Sequence, residues 1–155
     1  PNFTLKTKTP EGIKDVTLSH NLGKKQTLIL FVPLAFTPVC TKQFCQATTD
    51  YSFYQNLDAE IYGISVDSPF SQAAWAKSEN MGITLLSDMQ KEVSTAYGVL
   101  DKELLGLGGV SRRSAFIVNK DGIITYKWIS AEPQEYPPFE AIKAALQSEK
   151  ACATA

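Results

Sequence analysis

The stretch Thr27-Leu-Ile-Leu-Phe-Val32 constrains the fold most, because the chain changes character at its end. It is a short, continuous apolar run bounded by Lys24-Lys25-Gln26 and by Pro33, and it reads as a buried strand. Past it the apolar period lengthens. Phe44, Ala47, Tyr51 and Tyr54 recur at three- and four-residue spacings, which is one face of a helix. Thr37 and Pro38 stand where such a helix begins. Thr37 can cap it, and Pro38 can take the first helical position, where its missing N–H leaves nothing unsatisfied.

Cys40 then lies in the first helical turn. Backbone N–H groups there have no intrahelical partner, and the macrodipole places partial positive charge beside them. Both favour a thiolate over a thiol, which is the setting of a reactive cysteine. A thiol next to Val39 and Phe44 also fits simple packing, since free cysteine is among the most buried residue types. Position alone leaves these two readings even.

The rest of the chain alternates in the same way. Residues 2–20 read as a β-ribbon turning at Pro10-Glu-Gly12, with Phe3, Leu5, Ile13, Val16 and Leu18 apolar. Ala59-Glu-Ile-Tyr-Gly-Ile-Ser-Val66 is a second parallel-type strand, and Ser68 and Pro69 cap and open a helix over about 69–80. That helix carries Phe70, Ala73, Ala74 and Trp75 as a mixed apolar face. Ile83-Thr-Leu-Leu86 is a short strand, followed at Ser87-Asp88 by a short helix with Val93, Ala96 and Tyr97. Residues 98–112 are irregular, with Leu104, Leu105, Leu107 and Val110 reading as exposed cover for a site or a subunit contact. Arg113–Val118 and Ile123–Ile129 form a hairpin about Asp121-Gly122. A last helix, about 138–149, follows Pro137-Pro138. The order describes one α/β domain over residues 1–149, a central mixed sheet flanked by helices with an N-terminal β-ribbon, and a flexible tail at 150–155. This fits a thioredoxin-like fold.

Composition excludes several classes of function. Fifteen basic and sixteen acidic residues, without charge runs, leave no electrostatic footprint for nucleic acid or an anionic membrane. No apolar stretch approaches the roughly eighteen residues of a membrane span. Pro1-Asn-Phe-Thr-Leu lacks the basic-then-apolar order of a secretory signal, and the absence of an initial Met leaves open whether a leader was removed. Three cysteines, an odd number, make no disulfide framework and fit reactive thiols in a reducing compartment. The expectation is a soluble, cytoplasmic protein without cofactor or metal, since three cysteines and the single distant His20 lack ligand spacing. His20 itself reads as a turn or capping residue.

Pro33, Thr37 and Cys40 form P-x-x-x-T-x-x-C, and this resembles the active-site signature of the peroxiredoxins. The wider run P-L-A-F-T-P-V-C-T-K-Q-F-C is most similar to the subgroup that includes the bacterioferritin-comigratory (Q-type) enzymes, and the resemblance extends from about Phe3 to Leu146. It implies a thioredoxin-like fold and a thiol peroxidase acting on hydrogen peroxide and organic hydroperoxides. A second family pattern, R-x-x-F, matches Arg113-Ser-Ala-Phe116. Arg112 is adjacent, but side chains alternate across a strand, so only one of the two arginines faces Cys40, and the offset from Phe116 selects Arg113.

The implied roles follow. Cys40 is the nucleophile and becomes a sulfenic acid; Thr37 and backbone N–H groups position the peroxide; Arg113 stabilises charge on its oxygens; Pro33 shields the thiolate. Cys45, five residues on, matches the Q-type resolving position, and a thioredoxin-like or other thiol donor then re-reduces the disulfide. On an ideal helix the two cysteines lie roughly 140° apart, so a Cys40–Cys45 bond requires the first turns to unwind. Cys152, in the tail, is the other candidate resolver. Gln43 departs from the pattern, which commonly has Glu there; it can hold Arg113 while neutralising less of its charge. A one-Cys peroxidase with an external thiol, and a non-enzymatic redox sensor or holdase, use the same residues. A C-x-x-C disulfide exchanger is disfavoured because that spacing is absent. The apolar strips permit a monomer or a homodimer.

Overall fold

The structure is a computed structural model that describes residues 2–103, 106, 109–131 and 135–154, the last four as backbone. The run after Lys25 forms β3 (Gln26–Phe31), every residue of which is buried. It pairs in parallel with β4 (Ala59–Ser65), and β4 in parallel with β5 (Thr84–Ser87). On its other side β3 meets β8 (Ser114–Val118) antiparallel, and β8 meets β9 (Ile124–Ile129). The N-terminal hairpin, β1 (Thr4–Thr9) and β2 (Gly12–Thr17), is not a separate ribbon. It joins the sheet at β5 through one bridge, Lys6 to Ser87, giving the seven-stranded order β2-β1-β5-β4-β3-β8-β9.

Alternation along the central strands divides the core into two layers. Leu28, Leu30, Val32, Ile61, Ala115 and Ile117 face a cluster that includes Cys40, Phe44, Ala47 and Trp75. Ile29, Phe31, Ile64, Phe116 and Val118 face a second cluster that includes Phe3, Leu18, Val93 and Tyr97. The first layer is covered by α1 (Pro38–Thr49), α2 (Tyr51–Asn56), α3 (Pro69–Glu79) and α5 (Phe139–Thr154). The second carries the short α4 (Glu92–Ala96) and a 3-10 turn at Leu18–Asn21 that contains the exposed His20.

Local signals account for most element ends. Ser68 Oγ accepts the Ser71 N–H at 3.1 Å, with Pro69 in the first turn, as the sequence predicts for α3. At the β8–β9 turn Gly122 has φ +82°, and Asn119 Oδ1 accepts from the N–H groups of Asp121 and Ile123. Several expectations are corrected. The helix expected to run through Tyr54 breaks at Asp50, whose ψ of 10° is not helical; its carboxylate accepts from Gln46 Nε2 and pairs with Lys143 Nζ at 2.9 Å each. Those bonds, with burial opposing them, hold the Asp50 carboxyl below its ordinary range. Phe70 is 64% exposed rather than part of an apolar face, and Val110 is buried. Val110 belongs to a two-residue ladder, β6 (Leu100–Asp101) with β7 (Val110–Ser111). Leu104, Leu105 and Leu107 lie outside the described residues. The last helix continues to Thr154, beyond the expected 149, and the side chain of Cys152 is outside the described residues.

The helix that carries Cys40 rests on the sheet at one glycine. A Cβ at Gly63 of β4 would lie 2.6 Å from Phe44 Cζ and 2.9 Å from Leu85 Cδ2. Gly63→Ala therefore has to displace the Phe44 ring of α1, and is expected to lower stability by about 1–3 kcal/mol. Urea unfolding checks this as a lower midpoint at unchanged slope; an unchanged midpoint would mean that α1 gives way freely.

Candidate active site

Four buried side chains of α1 share one face: Cys40, Gln43, Phe44 and Ala47. This spacing turns the Cys40 thiol inward, where it is 1% exposed. Thr37 is the N-cap residue and Pro38 opens the helix. The Thr37 side chain makes no cap bond, however. Its hydroxyl donates instead to the carbonyl of Leu34 at 2.8 Å, closing the loop in front of the helix. The N–H groups of the first turn of α1 are thus left without that side-chain acceptor. Pro33 is buried at the start of this loop, and Phe36 within it has φ +65° and is 58% exposed.

Arg113 comes from the residue before β8. It shares parity with Ala115 and Ile117, which face the Cys40 layer. Its side chain is accordingly buried, and its terminal nitrogens reach both Gln43 and Cys40. Nη1 donates to Gln43 Oε1 at 2.8 Å, and Nη2 lies 3.4 Å from Cys40 Sγ in donor geometry. Arg112, of opposite parity, pairs with Asp101 at 2.9 Å and keeps 43% of its side chain exposed. Alternation separates the two arginines as the sequence expects. Gln43 is fully buried, and its Nε2 has no partner among the described residues. A neutral amide therefore orients Arg113 without cancelling its charge.

Cys45 lies on the same helix, half-buried, and both thiols are free. Five residues apart on the intact helix α1, the two positions are turned roughly 140° from each other. Burial, and secondarily the charge of Glu79, push the Cys45 thiol up from its ordinary value. The turn between the two cysteines is pinned from two sides. Trp75 of α3, fully buried, donates its Nε1–H to Thr41 Oγ1 at 2.9 Å and packs its ring against Phe44 at 5.3 Å. Tyr136 donates its hydroxyl to the carbonyl of Lys42 at 3.2 Å, with Lys42 Nζ 5.1 Å from its ring centre. Burial pushes the Tyr136 phenol up, and the positive charge of Arg113 works against that shift.

Sequence reasoning brought Pro33, Thr37, Cys40, Gln43 and Arg113 into consideration. It missed Thr41 and Tyr136, and it read Trp75 only as packing. These contacts join residues 34 and 94 positions apart, and no local pattern signals them. Among the described residues no three His, Cys, Asp or Glu side chains converge to hold a metal ion, and no helix is long and apolar enough to cross a membrane.

Comparison with known proteins finds relatives over most of the chain. The chain is 35% identical to a peroxiredoxin of Thermoplasma volcanium over 142 residues, which is 87% of this chain and 64% of that one. It is 34% identical to a chloroplastic 2-cysteine peroxiredoxin of Chattonella marina over 84% of this chain and 68% of the relative. The chain spans between 50% and 68% of the length of such curated relatives. The reduced 2-Cys peroxiredoxin of Plasmodium vivax superposes with a TM-score of 0.89 at 25% identity, covering 99% of this chain and 81% of that one. The fold is thus thioredoxin-like. With residues 1–127 matching the AhpC/TSA family, the chain belongs to the AhpC/TSA peroxiredoxin family.

Proposed function

We propose that this protein is a thiol peroxidase whose nucleophile is Cys40. The observation that carries the reading is the buried Cys40 thiol at the start of α1 with a guanidinium nitrogen 3.4 Å from its sulfur. A permanent positive charge and the partial positive charge of the helix N-terminus both stand beside that sulfur. The thiolate sulfur attacks one peroxide oxygen, an S–O bond forms and the O–O bond breaks. The second oxygen leaves with its electron pair and takes a proton, departing as water or an alcohol. Arg113 and the free N–H groups at the helix start stabilise the charge that collects on the oxygens. Thr37 and Pro33 shape the space they occupy. A sulfur this enclosed admits the narrow O–O end of a peroxide more readily than a bulky disulfide, which favours peroxide reduction over disulfide exchange.

Cys45 is the proposed resolving thiol. Its thiolate attacks the Cys40 sulfenic acid, an S–S bond forms, and hydroxide leaves as water after protonation. The two positions on an intact helix are too far around the axis to bond, so the turn held by Trp75 and Tyr136 opens first. A thiol donor of the thioredoxin type then returns two electrons. Because burial pushes the Cys45 thiol up and it attacks only as thiolate, disulfide formation is expected to accelerate as pH rises into and beyond the ordinary thiol range. Acid-quenched samples taken from pH 6.5 to 9.5 and analysed for the disulfide check this; a falling rate would contradict it.

Turnover tests the reading as a whole. With excess dithiothreitol, or thioredoxin and its reductase, the protein is expected to consume many equivalents of hydrogen peroxide per chain. A redox sensor would stop after one equivalent, and an inert thiol would consume none.

A further inference from the structure

Among the described residues one side-chain hydrogen bond, to the Asp67 carboxylate, ties the loop in front of Cys40 to the sheet, and the Phe36 ring also stands 6.3 Å from that of Trp75. Asp67, just beyond the end of β4, accepts the backbone N–H of Ala35 on Oδ2 at 2.7 Å. The same oxygen accepts the Ser65 hydroxyl at 2.8 Å. Ser65 Oγ in turn accepts from Gln72 Nε2 at 2.9 Å, and Gln72 Nε2 also donates to the Leu86 carbonyl at 2.7 Å. The backbone of Asp67 is held as well, since the Ser87 hydroxyl donates to its carbonyl at 2.6 Å. Strands β4 and β5 and helix α3 therefore fix Asp67, and Asp67 fixes Ala35.

The loop needs this hold. It runs from Pro33 to Pro38, neither of which has an N–H to contribute. Phe36 sits in the left-handed region, which a residue with a Cβ rarely adopts without external support. Its remaining side-chain bond is internal, from Thr37 to Leu34, and fixes the shape of the loop without fixing its place on the sheet. Ala35 lies two residues before Thr37 and three before α1, so its position sets where the Thr37 hydroxyl and the first N–H groups of α1 stand relative to Cys40.

We propose that Asp67 is a positioning residue for the peroxide reaction, acting through Ala35 on the loop that forms the oxygen-binding side of the site. The proposal rests on the peroxidase reading above. It assigns to Asp67 the placement of the peroxide and not the ionisation of Cys40, because Asp67 bonds neither Cys40 nor Arg113 in the structure. The two duties can be separated. Reaction with hydrogen peroxide needs both the thiolate and the oxygen-binding groups, whereas alkylation by iodoacetamide needs only the thiolate.

The test measures both second-order rates on reduced Asp67→Ala, Asp67→Asn and Ser65→Ala. In Asp67→Ala the peroxide rate is expected to fall by about 10- to 100-fold, since small misplacements of reacting groups have effects of that size. The alkylation rate of Cys40 is expected to stay within about twofold. Asp67→Asn keeps an oxygen that can accept from Ala35 and is expected to recover most of the peroxide rate. Ser65→Ala leaves the carboxylate but loosens it, and is expected to fall in between; it also serves if Asp67→Ala does not fold. Equal falls in both rates, no fall in either, or no recovery in Asp67→Asn would overturn the proposal. Failure of the peroxidase reading is distinct, because the unmodified protein would then not react with peroxide at all.

Discussion

Cys40→Ser is expected to abolish peroxide reduction, lowering the rate by about 10³-fold or more, to the level of the uncatalysed reaction. A serine oxygen in this place can accept a hydrogen bond from Arg113 but does not ionise near neutral pH, and it cannot take up a second oxygen. The loss should be chemical rather than structural. The site is 1% exposed, and the smaller Oγ fits within the space of the sulfur, leaving Arg113 and Gln43 their mutual bond. Thermal unfolding and peroxide consumption measured on the same sample separate the two. Residual activity in a folded Cys40→Ser chain would mean that another thiol carries the reaction.

Arg113→Met is the second large effect. Methionine retains an apolar stem of similar reach but removes the donors at Gln43 and at Cys40 Sγ. The positive charge beside the sulfur disappears, and so does a donor to the oxygens as the O–O bond breaks. Loss of one such donor typically lowers a rate by about 10²–10³-fold, and that range is expected here for the reaction with peroxide. Arg113→Lys should recover only part of it, because a point charge cannot serve Gln43 and Cys40 in the same planar geometry. Stopped-flow oxidation of the reduced chain checks both. Arg112→Ala is the control, since that side chain is turned to solvent and to Asp101. An equal loss in Arg112→Ala would contradict the assignment by strand parity.

Much of the fold was legible because apolar period and end signals act locally. The buried run before Pro33, the Ser68-Pro69 helix start and the Asp121-Gly122 turn each contain their own cause within a few residues. Arg113 could be told from Arg112 because only one of two neighbouring strand residues can face Cys40, and the resemblance to the family pattern R-x-x-F at Phe116 selects Arg113. What escaped the sequence depends on contacts between distant segments. The break at Asp50 accompanies its pairing with Lys143, far along the chain. The Thr37 hydroxyl leaves the cap position for the Leu34 carbonyl, a choice that residue type does not determine. Phe70 and Val110 exchange their expected exposures because helix and ladder orientation are set by tertiary packing. The ties from Asp67 to Ala35 and from Tyr136 to Lys42 span 32 and 94 residues, and neither belongs to a motif.

The central claim is that peroxide oxidises Cys40 and that Cys45 then closes on it. Intact mass tests this most directly, measured on the fully reduced chain and on Cys45→Ser after one equivalent of hydrogen peroxide. The expected result is loss of two hydrogens in the unmodified chain and gain of one oxygen on Cys40 in Cys45→Ser. Added oxygen on Cys40 in both would remove Cys45 from the reaction and leave an external thiol to complete it. No change at Cys40 in either would contradict the account.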